Sequence, residues 1–168
     1  MAFYKEALKG VRAFAFDVDG VLARSEVVLH PDGELMRTMN TKDGFAIQQA
    51  LRHGFPVAVV SGARSENIRL RFHNLGTEDV FLNSPDKWLD LVKFMEKHHL
   101  DASMVLYMGD DLPDLEVMRR VAIPVCPSDA ASEIQAVSMY ISPFAGGTGC
   151  VRDVIEQVLR AQGYWDIL

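Results

Sequence analysis

The chain has 168 residues, of which 49% are apolar and 24% are charged, and its net charge is −6. This length and composition predict one globular domain, residues 1–168, and the negative charge argues against nucleic acid or an anionic membrane surface as the main partner. No apolar stretch has the length of a membrane span, and none follows the first residues as in a signal peptide. Two cysteines without metal-ligand spacing argue against a disulfide framework and favour the cytoplasm.

Short apolar runs alternate with segments of helical periodicity along the chain. The short runs predict buried strands, the longer segments predict helices, and the turn residues Pro31-Asp32-Gly33 predict a β-hairpin. In chain order we predict strand Arg12–Phe16, hairpin strands Glu26–Leu29 and Glu34–Thr38, helix Gly44–His53, strand Val57–Val60, helix Ser65–Leu75, strand Val80–Leu82, helix Asp86–His98, strand Val105–Met108, helix Leu112–Arg120, strand Ala122–Val125, helix Ala130–Val137 capped by Ser128 or Asp129, strand Tyr140-Ile141 and helix Val151–Gln162.

This alternation of strands and helices is typical of an α/β fold. It predicts a doubly wound, Rossmann-like parallel sheet with helices on both faces, from which the β-hairpin protrudes. In such sheets ligands bind at the carboxyl ends of the strands, so the residues that follow each strand are the first candidates for a functional site.

Two carboxylates, Asp17 and Asp19, follow the first predicted strand, in the segment Asp17-Val18-Asp19-Gly20. Residues two apart in an extended segment point the same way, so the two side chains would project together. Such a pair indicates a Mg²⁺ site, an acid/base pair or a carboxylate nucleophile beside its own acid. An ordinary turn with a solvated second carboxylate is the alternative.

Polar residues also follow the second and third central strands. Ser61 and Gly62 come after Val57–Val60, and Lys87 opens a predicted helix. After Val105–Met108 comes Gly109-Asp110-Asp111-Leu112-Pro113-Asp114. A carboxylate nucleophile, a hydroxyl, a cation and metal ligands meeting at one edge are the groups that phosphoryl transfer requires. Taken singly, Ser61 and Lys87 are better explained by an N-cap and a solvated first-turn residue, and it is their combination with the two Asp motifs that favours function.

In this combination the chain resembles the haloacid dehalogenase superfamily of aspartate-nucleophile phosphotransferases. The four motifs of that superfamily occur in order as Asp17-Val18-Asp19-Gly20, Ser61, Lys87 and Gly109-Asp110 with Asp114. The resemblance implies that Mg²⁺ is bound by Asp17, Asp110 and the main-chain carbonyl of Asp19.

The roles of the individual residues follow from their chemistry and from this resemblance. Asp17 is the candidate nucleophile and Asp19 the candidate general acid, then base. Ser61 and the Gly62 amide would bind the transferred phosphoryl oxygens, and Lys87 would neutralise their charge. Either Asp111 or Asp114 would hold Lys87 and Asp110 in place.

Between the motifs the chain has no room for the cap domain that selects substrates in many members of the superfamily. The chain thereby resembles a cap-less branch that hydrolyses 3-deoxy-D-manno-octulosonate 8-phosphate, in the steps that build lipopolysaccharide. Members of that branch are homotetramers whose hairpins pack together and whose subunits cover each other's sites. The resemblance also rests on Asn40–Gly44, Gly146–Gly149 with Val151–Val154, and the tail Ala161–Gly163.

The chain departs from this branch in the segment Ser61-Gly62-Ala63-Arg64, where the arginine is displaced by one position. Enzymes for a nine-carbon sugar-acid 9-phosphate tend to carry Glu at the place of Ala63, so the eight-carbon substrate is preferred and the nine-carbon one is the alternative. Either substrate carries a carboxylate, for which the candidate cations are Lys42, Arg64 and Arg71.

Two readings from other functional classes remain as alternatives. A non-catalytic regulatory domain of sugar-nucleotide synthesis would not need the Asp17/Asp19 pair. A phosphorylatable receiver domain would need a lone aspartate after the strand Val57–Val60, where none stands. We also expect the hairpin to bury one face against other subunits, since an isolated hairpin is only marginally stable, and the apolar tail Gly163–Leu168 to approach a neighbour's site.

Overall fold

The computed structural model describes residues 2–165. Six parallel strands form one sheet in the order β5-β4-β1-β6-β7-β8, and a separate antiparallel pair, β2 with β3, forms the hairpin. The predicted α/β fold is therefore confirmed. The strands are β1 Ala13–Phe16, β2 Val28–Leu29, β3 Leu35–Met36, β4 Val57–Val60, β5 Asp79–Phe81, β6 Val105–Met108, β7 Ile123–Cys126 and β8 Tyr140–Ile141.

Residues 2–165 also form seven α-helices and three short 3-10 turns, which precede, connect or follow the strands. Strands that are parallel neighbours need crossover connections, and helices supply them on both faces of the sheet. The helices are α1 Ala2–Ala7, α2 Thr41–Arg52, α3 Glu66–Leu75, α4 Lys87–Lys97, α5 Leu115–Met118, α6 Ser132–Val137 and α7 Cys150–Ala161, and the 3-10 turns are Leu8–Gly10, Ala102–Met104 and Leu112–Asp114.

The sheet separates two apolar clusters, because successive side chains of a strand point to opposite faces. Phe14 and Phe16 of β1 belong to the cluster formed with α2, α3 and α7. Ala13 and Ala15 belong to the cluster formed with α4, α5 and α6. All four residues of β1 are fully buried, so β1 is a rigid central support for the residues that follow it.

Several predicted element boundaries were wrong. The hairpin strands are two residues each, and helix α2 begins at Thr41 rather than Gly44 because the Asn40 side chain caps it by accepting from the Lys42 amide at 2.9 Å. The predicted helix Leu112–Arg120 is a 3-10 turn followed by the four-residue α5. Neither Ser128 nor Asp129 caps α6, whose N-cap position is Ala131.

The hairpin protrudes from the domain with its apolar side chains exposed. Val28 and Leu29 of β2 are 63% and 77% exposed, and Leu35 and Met36 of β3 are also exposed. Between β1 and β4 the chain inserts this hairpin and α2, and no cap domain stands there. None of the helices within residues 2–165 combines the length and apolarity needed to cross a membrane.

The tail after α7 packs on its own chain as far as the structure describes it. Trp165 is 7% exposed, with its ring edge on Phe45 and the Arg152 guanidinium 4.5 Å from its centroid. Tyr164 lies against His53 at a centroid distance of 5.2 Å. Tyr164 and Trp165 thus have partners within the chain, and the predicted approach of the tail to a neighbour's site stays a prediction. The rest of the tail, residues 166–168, lies outside the described residues.

Candidate active site

Asp17 emerges at the middle of the carboxyl edge of the sheet, because β1 lies between β4 and β6. The Asp17 amide donates to the Met108 carbonyl at 3.1 Å, which extends the β1–β6 ladder by one residue. The Val18 amide donates to Asp17 Oδ1 at 2.6 Å. The carboxylate is therefore fixed by its own backbone, and it is 7% exposed.

A buried lysine joins two of the predicted carboxylates. Lys87 Nζ lies 2.8 Å from Asp17 Oδ2 and 2.7 Å from Asp114 Oδ1. Lys87 is the first residue of α4, whose N-cap is Asp86, accepting from the Leu89 amide at 3.0 Å. Of the two carboxylates predicted to hold Lys87, it is Asp114 that does so.

Asp114 is fully buried, and both of its carboxylate oxygens accept hydrogen bonds. The Tyr107 hydroxyl donates to Asp114 Oδ1 at 2.6 Å, and the Asp110 amide donates to Oδ2 at 3.1 Å. Asp111 instead points to solvent and caps the 3-10 turn by accepting from the Leu112 amide. Asp114 thus orients both Lys87 and the loop that carries Asp110.

The charges at this edge do not balance. Asp17, Asp110 and Asp114 each place a carboxylate oxygen within 4.8 Å of the others, and Lys87 is the cation that contacts Asp17 and Asp114. Burial and the charge of Asp114 raise the pKa of Asp17 well above its ordinary value, although Lys87 opposes this shift. Burial raises the pKa of Asp110 to about 7. Three carboxylates against one ammonium leave two negative charges uncompensated.

This excess of negative charge fits a divalent metal ion. Asp114 is saturated by hydrogen bonds, so Asp17 and Asp110 are the side chains with oxygens to give to a metal. Hard carboxylate oxygens are the ligands that Mg²⁺ prefers, and a doubly charged cation would cancel the excess and keep both carboxylates ionised.

Gly20 lets the two acidic loops approach each other. Its φ is +80°, and a Cβ at this position would lie 1.8 Å from Asp110 Oδ2, so a side chain there is excluded by both backbone and space. Gly146 packs on the other side, where a Cβ would lie 2.1 Å from the Gly20 carbonyl oxygen. The Asp17–Gly20 loop is therefore held between Asp110 and the glycine-rich loop before α7.

Ser61 follows β4 and is 2% exposed. Its amide donates to the Phe81 carbonyl at 2.9 Å, and its Oγ accepts from the Ala63 amide at 3.1 Å. Ser61 and the exposed Gly62 line the same cavity as Asp17, Asp19 and Lys87. The structure thus brings together the predicted phosphoryl-binding groups and the predicted nucleophile.

Asp19 is held by a residue that the sequence analysis did not select. Arg37, just after β3, binds both carboxylate oxygens, with Nε 2.5 Å from Oδ1 and Nη2 2.9 Å from Oδ2. The Asp19 side chain is 37% exposed, and it lines the cavity. The local sequence gives no signal for this pair, because the partners are 18 residues apart and meet only when the hairpin folds back.

The cavity over Asp17 has a volume of about 640 Å³ and is open to solvent. Among the described residues that line this cavity there is none of the three predicted substrate cations, Lys42, Arg64 and Arg71. Arg64 binds Asn83 Oδ1 at 2.9 Å just outside the rim, and Arg71 lies against Gly44 below the hairpin. The structure therefore assembles the predicted catalytic groups but not the predicted substrate cations.

Comparison with known proteins places this site in a family. No family model matches the chain. The chain is 32% identical over 158 residues to 3-deoxy-D-manno-octulosonate 8-phosphate phosphatase KdsC of Escherichia coli K12, covering 94% of the chain and 84% of that protein. The chain belongs to the KdsC phosphatase family. The predicted resemblance to this branch is thereby confirmed.

Solved structures agree with the KdsC family assignment. The 3-deoxy-D-manno-octulosonate 8-phosphate phosphatase of Moraxella catarrhalis, in complex with magnesium, phosphate and KDO, superimposes with a TM-score of 0.94 at 31% identity, covering 99% of this chain and 95% of that one. A Legionella pneumophila protein described as a HAD superfamily (subfamily III A) hydrolase gives 0.93 at 26% identity, covering 97% and 90%.

Two segments that carry the KdsC resemblance, Asn40–Gly44 and Gly146–Gly149, meet behind the site. Asp43 is 1% exposed, and its Oδ1 accepts from the Arg152 amide in the first turn of α7 at 2.7 Å. Because the N-cap residue Gly149 has no side chain, Asp43 supplies an acceptor to this helix end from α2. No role for Asp43 was predicted from the sequence, because its burial is seen only in the structure.

Asp43 should make stability depend on pH. Burial raises its folded-state pKa from 3.8 to about 6, so its contribution to stability is fully present below about pH 4 and is lost as the pH rises through 6. Relative to Asp43→Asn, which does not titrate, we expect the free energy of unfolding of the wild type to fall by roughly 1–3 kcal/mol between pH 4 and pH 7.5.

Urea unfolding of both proteins across this range measures the difference directly. Asp101→Asn, at an exposed position, is the matched control and should keep the wild-type profile. Parallel profiles for the wild type and Asp43→Asn would contradict the assignment of this titration to Asp43.

Proposed function

We propose that the chain is a Mg²⁺-dependent phosphatase of 3-deoxy-D-manno-octulosonate 8-phosphate. The observation that carries the proposal is the convergence of Asp17, Asp19, Ser61 and Lys87 on one cavity. It is supported by the 32% sequence identity with KdsC over 94% of the chain. It is also supported by the superposition on a phosphatase structure that holds magnesium, phosphate and KDO.

In the proposed reaction Asp17 attacks phosphorus and forms an acyl phosphate, while the sugar oxygen leaves with a proton from Asp19. Asp19 then takes a proton from the water that attacks the acyl phosphate, which releases inorganic phosphate and leaves Asp17 again as a carboxylate and Asp19 again protonated. The Ser61 hydroxyl and Lys87 lie where they can bind the phosphoryl oxygens, and Lys87 remains anchored by Asp114. Asp17 and Asp110 would hold Mg²⁺, which when bound would neutralise negative charge on the transferring phosphoryl group.

Recognition of the substrate carboxylate requires a cation in addition to Lys87, which is already paired with Asp17 and Asp114. Lys87 is the basic residue that lines the cavity, and the lining also includes the acidic Asp86 and Glu116. Substrate binding by Lys42, Arg64 or Arg71 stays a prediction, most directly for Arg64, which follows the lining residue Ala63. We propose that a neighbouring subunit completes this part of the site.

We propose a cytoplasmic homotetramer in which the hairpins pack together. The four exposed apolar side chains of β2 and β3 support this arrangement, because a protruding two-stranded hairpin gains stability when such side chains are buried. Sedimentation velocity should find a species of about four chains, and a fully active monomer would refute the assembly.

Phosphate release from a panel of phosphate esters tests the function. We expect the eight-carbon sugar-acid phosphate to exceed glucose 6-phosphate in kcat/KM by at least about 10²-fold, because a site built for a carboxylate rejects a ligand that lacks it. Removal of Mg²⁺ by EDTA should abolish release, and added Mg²⁺ should restore it. Equal turnover of hexose phosphates would refute the proposed substrate specificity but not the phosphatase activity. Preference for a nine-carbon sugar-acid 9-phosphate would favour the nine-carbon alternative. No phosphate release from any ester would favour a non-catalytic regulatory domain.

A further inference from the structure

Arg37 makes three well-formed hydrogen bonds at the base of the hairpin. Two go to the two oxygens of Asp19, at 2.5 and 2.9 Å, and the third goes from Nη1 to the Leu35 carbonyl at 2.7 Å. The Arg37 side chain is 6% exposed. A planar guanidinium that binds a carboxylate through two parallel hydrogen bonds fixes the orientation of both groups.

The hairpin segment that carries Arg37 is itself anchored. Glu34 accepts hydrogen bonds from the Ser65 hydroxyl and from Asn67 Nδ2, the latter at 3.2 Å, which ties the hairpin to the start of α3. Met39 forms a bridge with Ala23, which ties the segment to the loop after Asp19. Arg37 therefore reaches Asp19 from a support that is connected to the domain on both sides.

The bidentate pair leaves Asp19 able to react. A carboxylate offers about four lone-pair positions, and Arg37 occupies one on each oxygen. Because Asp19 still lines the cavity over Asp17, the remaining positions can serve a proton on the cavity side. Arg37 can thus hold Asp19 throughout a proton transfer without being displaced.

Arg37 is poorly placed to bind the substrate itself. It lines the groove below the hairpin rather than the cavity over Asp17, and the Nε and Nη2 edge of its guanidinium is taken by Asp19. Its effect on the reaction must therefore pass through Asp19.

We propose that Arg37 is a positioning residue that holds the Asp19 carboxylate in the orientation required for proton transfer to the leaving group. This inference rests on the proposed phosphatase function. It links the hairpin, which the family resemblance associates with assembly, to a catalytic group within the same chain.

The test compares an alkyl ester with an aryl ester in Arg37→Met, which removes the guanidinium and keeps the length of the side chain. An aryl oxide leaves without much help from an acid, so a defect in Asp19 should appear mainly with the alkyl ester. We expect kcat for the sugar-acid phosphate to fall by about 10–100-fold with little change in KM, and kcat for p-nitrophenyl phosphate to fall by less than about 3-fold. Arg37→Lys, with one point charge, should be intermediate.

A double-mutant cycle measures the energetic coupling between Arg37 and Asp19. In the Asp19→Ala background, Arg37→Met should cause no further loss, because the group that it positions is already absent. Arg52→Met, at an exposed position of α2, is the control for arginine removal and should keep wild-type kinetics. Circular dichroism melts establish that each variant is folded.

Equal loss with both esters, a rise in KM as the main effect, or additive losses in the cycle would overturn the proposal. If the proposed sugar-acid phosphate is not a substrate, the wild type already fails to hydrolyse it, so this result is distinguishable from a failure of the Arg37 proposal. The Arg37 variants are then tested with any other alkyl phosphate that the wild type hydrolyses. If the wild type hydrolyses no phosphate ester, both the function and the role of Arg37 are refuted.

Discussion

Asp17→Asn should abolish phosphate release while the protein stays folded. An asparagine keeps the size of the side chain, but it cannot form the acyl phosphate, so we expect kcat to fall by a factor on the order of 10⁴–10⁶, the scale of losing a nucleophile. The fold should survive because Lys87 keeps Asp114 as its partner at 2.7 Å, and because one of three crowded carboxylates is removed.

Phosphate release and thermal melting of the same preparation provide the measurement. Asp101→Asn, outside the site, controls for the chemical change itself. Turnover near the wild-type rate in folded Asp17→Asn would show that another group attacks phosphorus.

Asp19→Ala should lose protonation of the leaving group. A positioned general acid contributes about 10²–10⁴ in rate, so kcat for the sugar-acid phosphate should fall by that factor. The loss should be much smaller for p-nitrophenyl phosphate, whose leaving group needs little protonation. Because Asp19 is 37% exposed and Arg37 is its partner, its removal leaves one arginine without a carboxylate but no buried cavity in the core.

The ratio of the two losses is the measurement that decides the role of Asp19. An equal deficit with alkyl and aryl esters would mean that Asp19 serves the fold or the metal ion and not the leaving group. The control is Asp101→Asn, which changes an exposed carboxylate outside the site and should leave the ratio of the two rates unchanged.

The central strands and the positions of the catalytic candidates could be predicted from the sequence because each rests on local information. The runs Ala13–Phe16, Val57–Val60 and Val105–Met108 are too apolar and too short for anything but buried strands, and parallel neighbours deliver the residues after them to one edge. The convergence of Asp17, Ser61 and Asp110 follows from these two facts.

Other features depended on long-range contacts that periodicity does not report. Helix α5 is short because the capping box of Asp111 and Asp114 first forms a 3-10 turn, where the apolar pattern alone predicts a continuous helix. The Arg37–Asp19 pair, and the packing of Trp165 on Arg152, join segments whose approach is decided by the tertiary fold. Side-chain partners of this kind carry no signal in the local sequence.

The contact of Gly146 with the Gly20 carbonyl has a consequence for how the enzyme is made. The ribosome delivers the Asp17–Gly20 segment early, yet the surface that holds it in shape lies more than a hundred residues later. Domains acquire structure as their residues emerge, so a nascent chain that ends before the glycine-rich loop already has Asp17, Asp19, Asp110 and Asp114 but lacks the loop that supports the Asp17–Gly20 segment. Chains that terminate before this loop should therefore have no phosphatase activity.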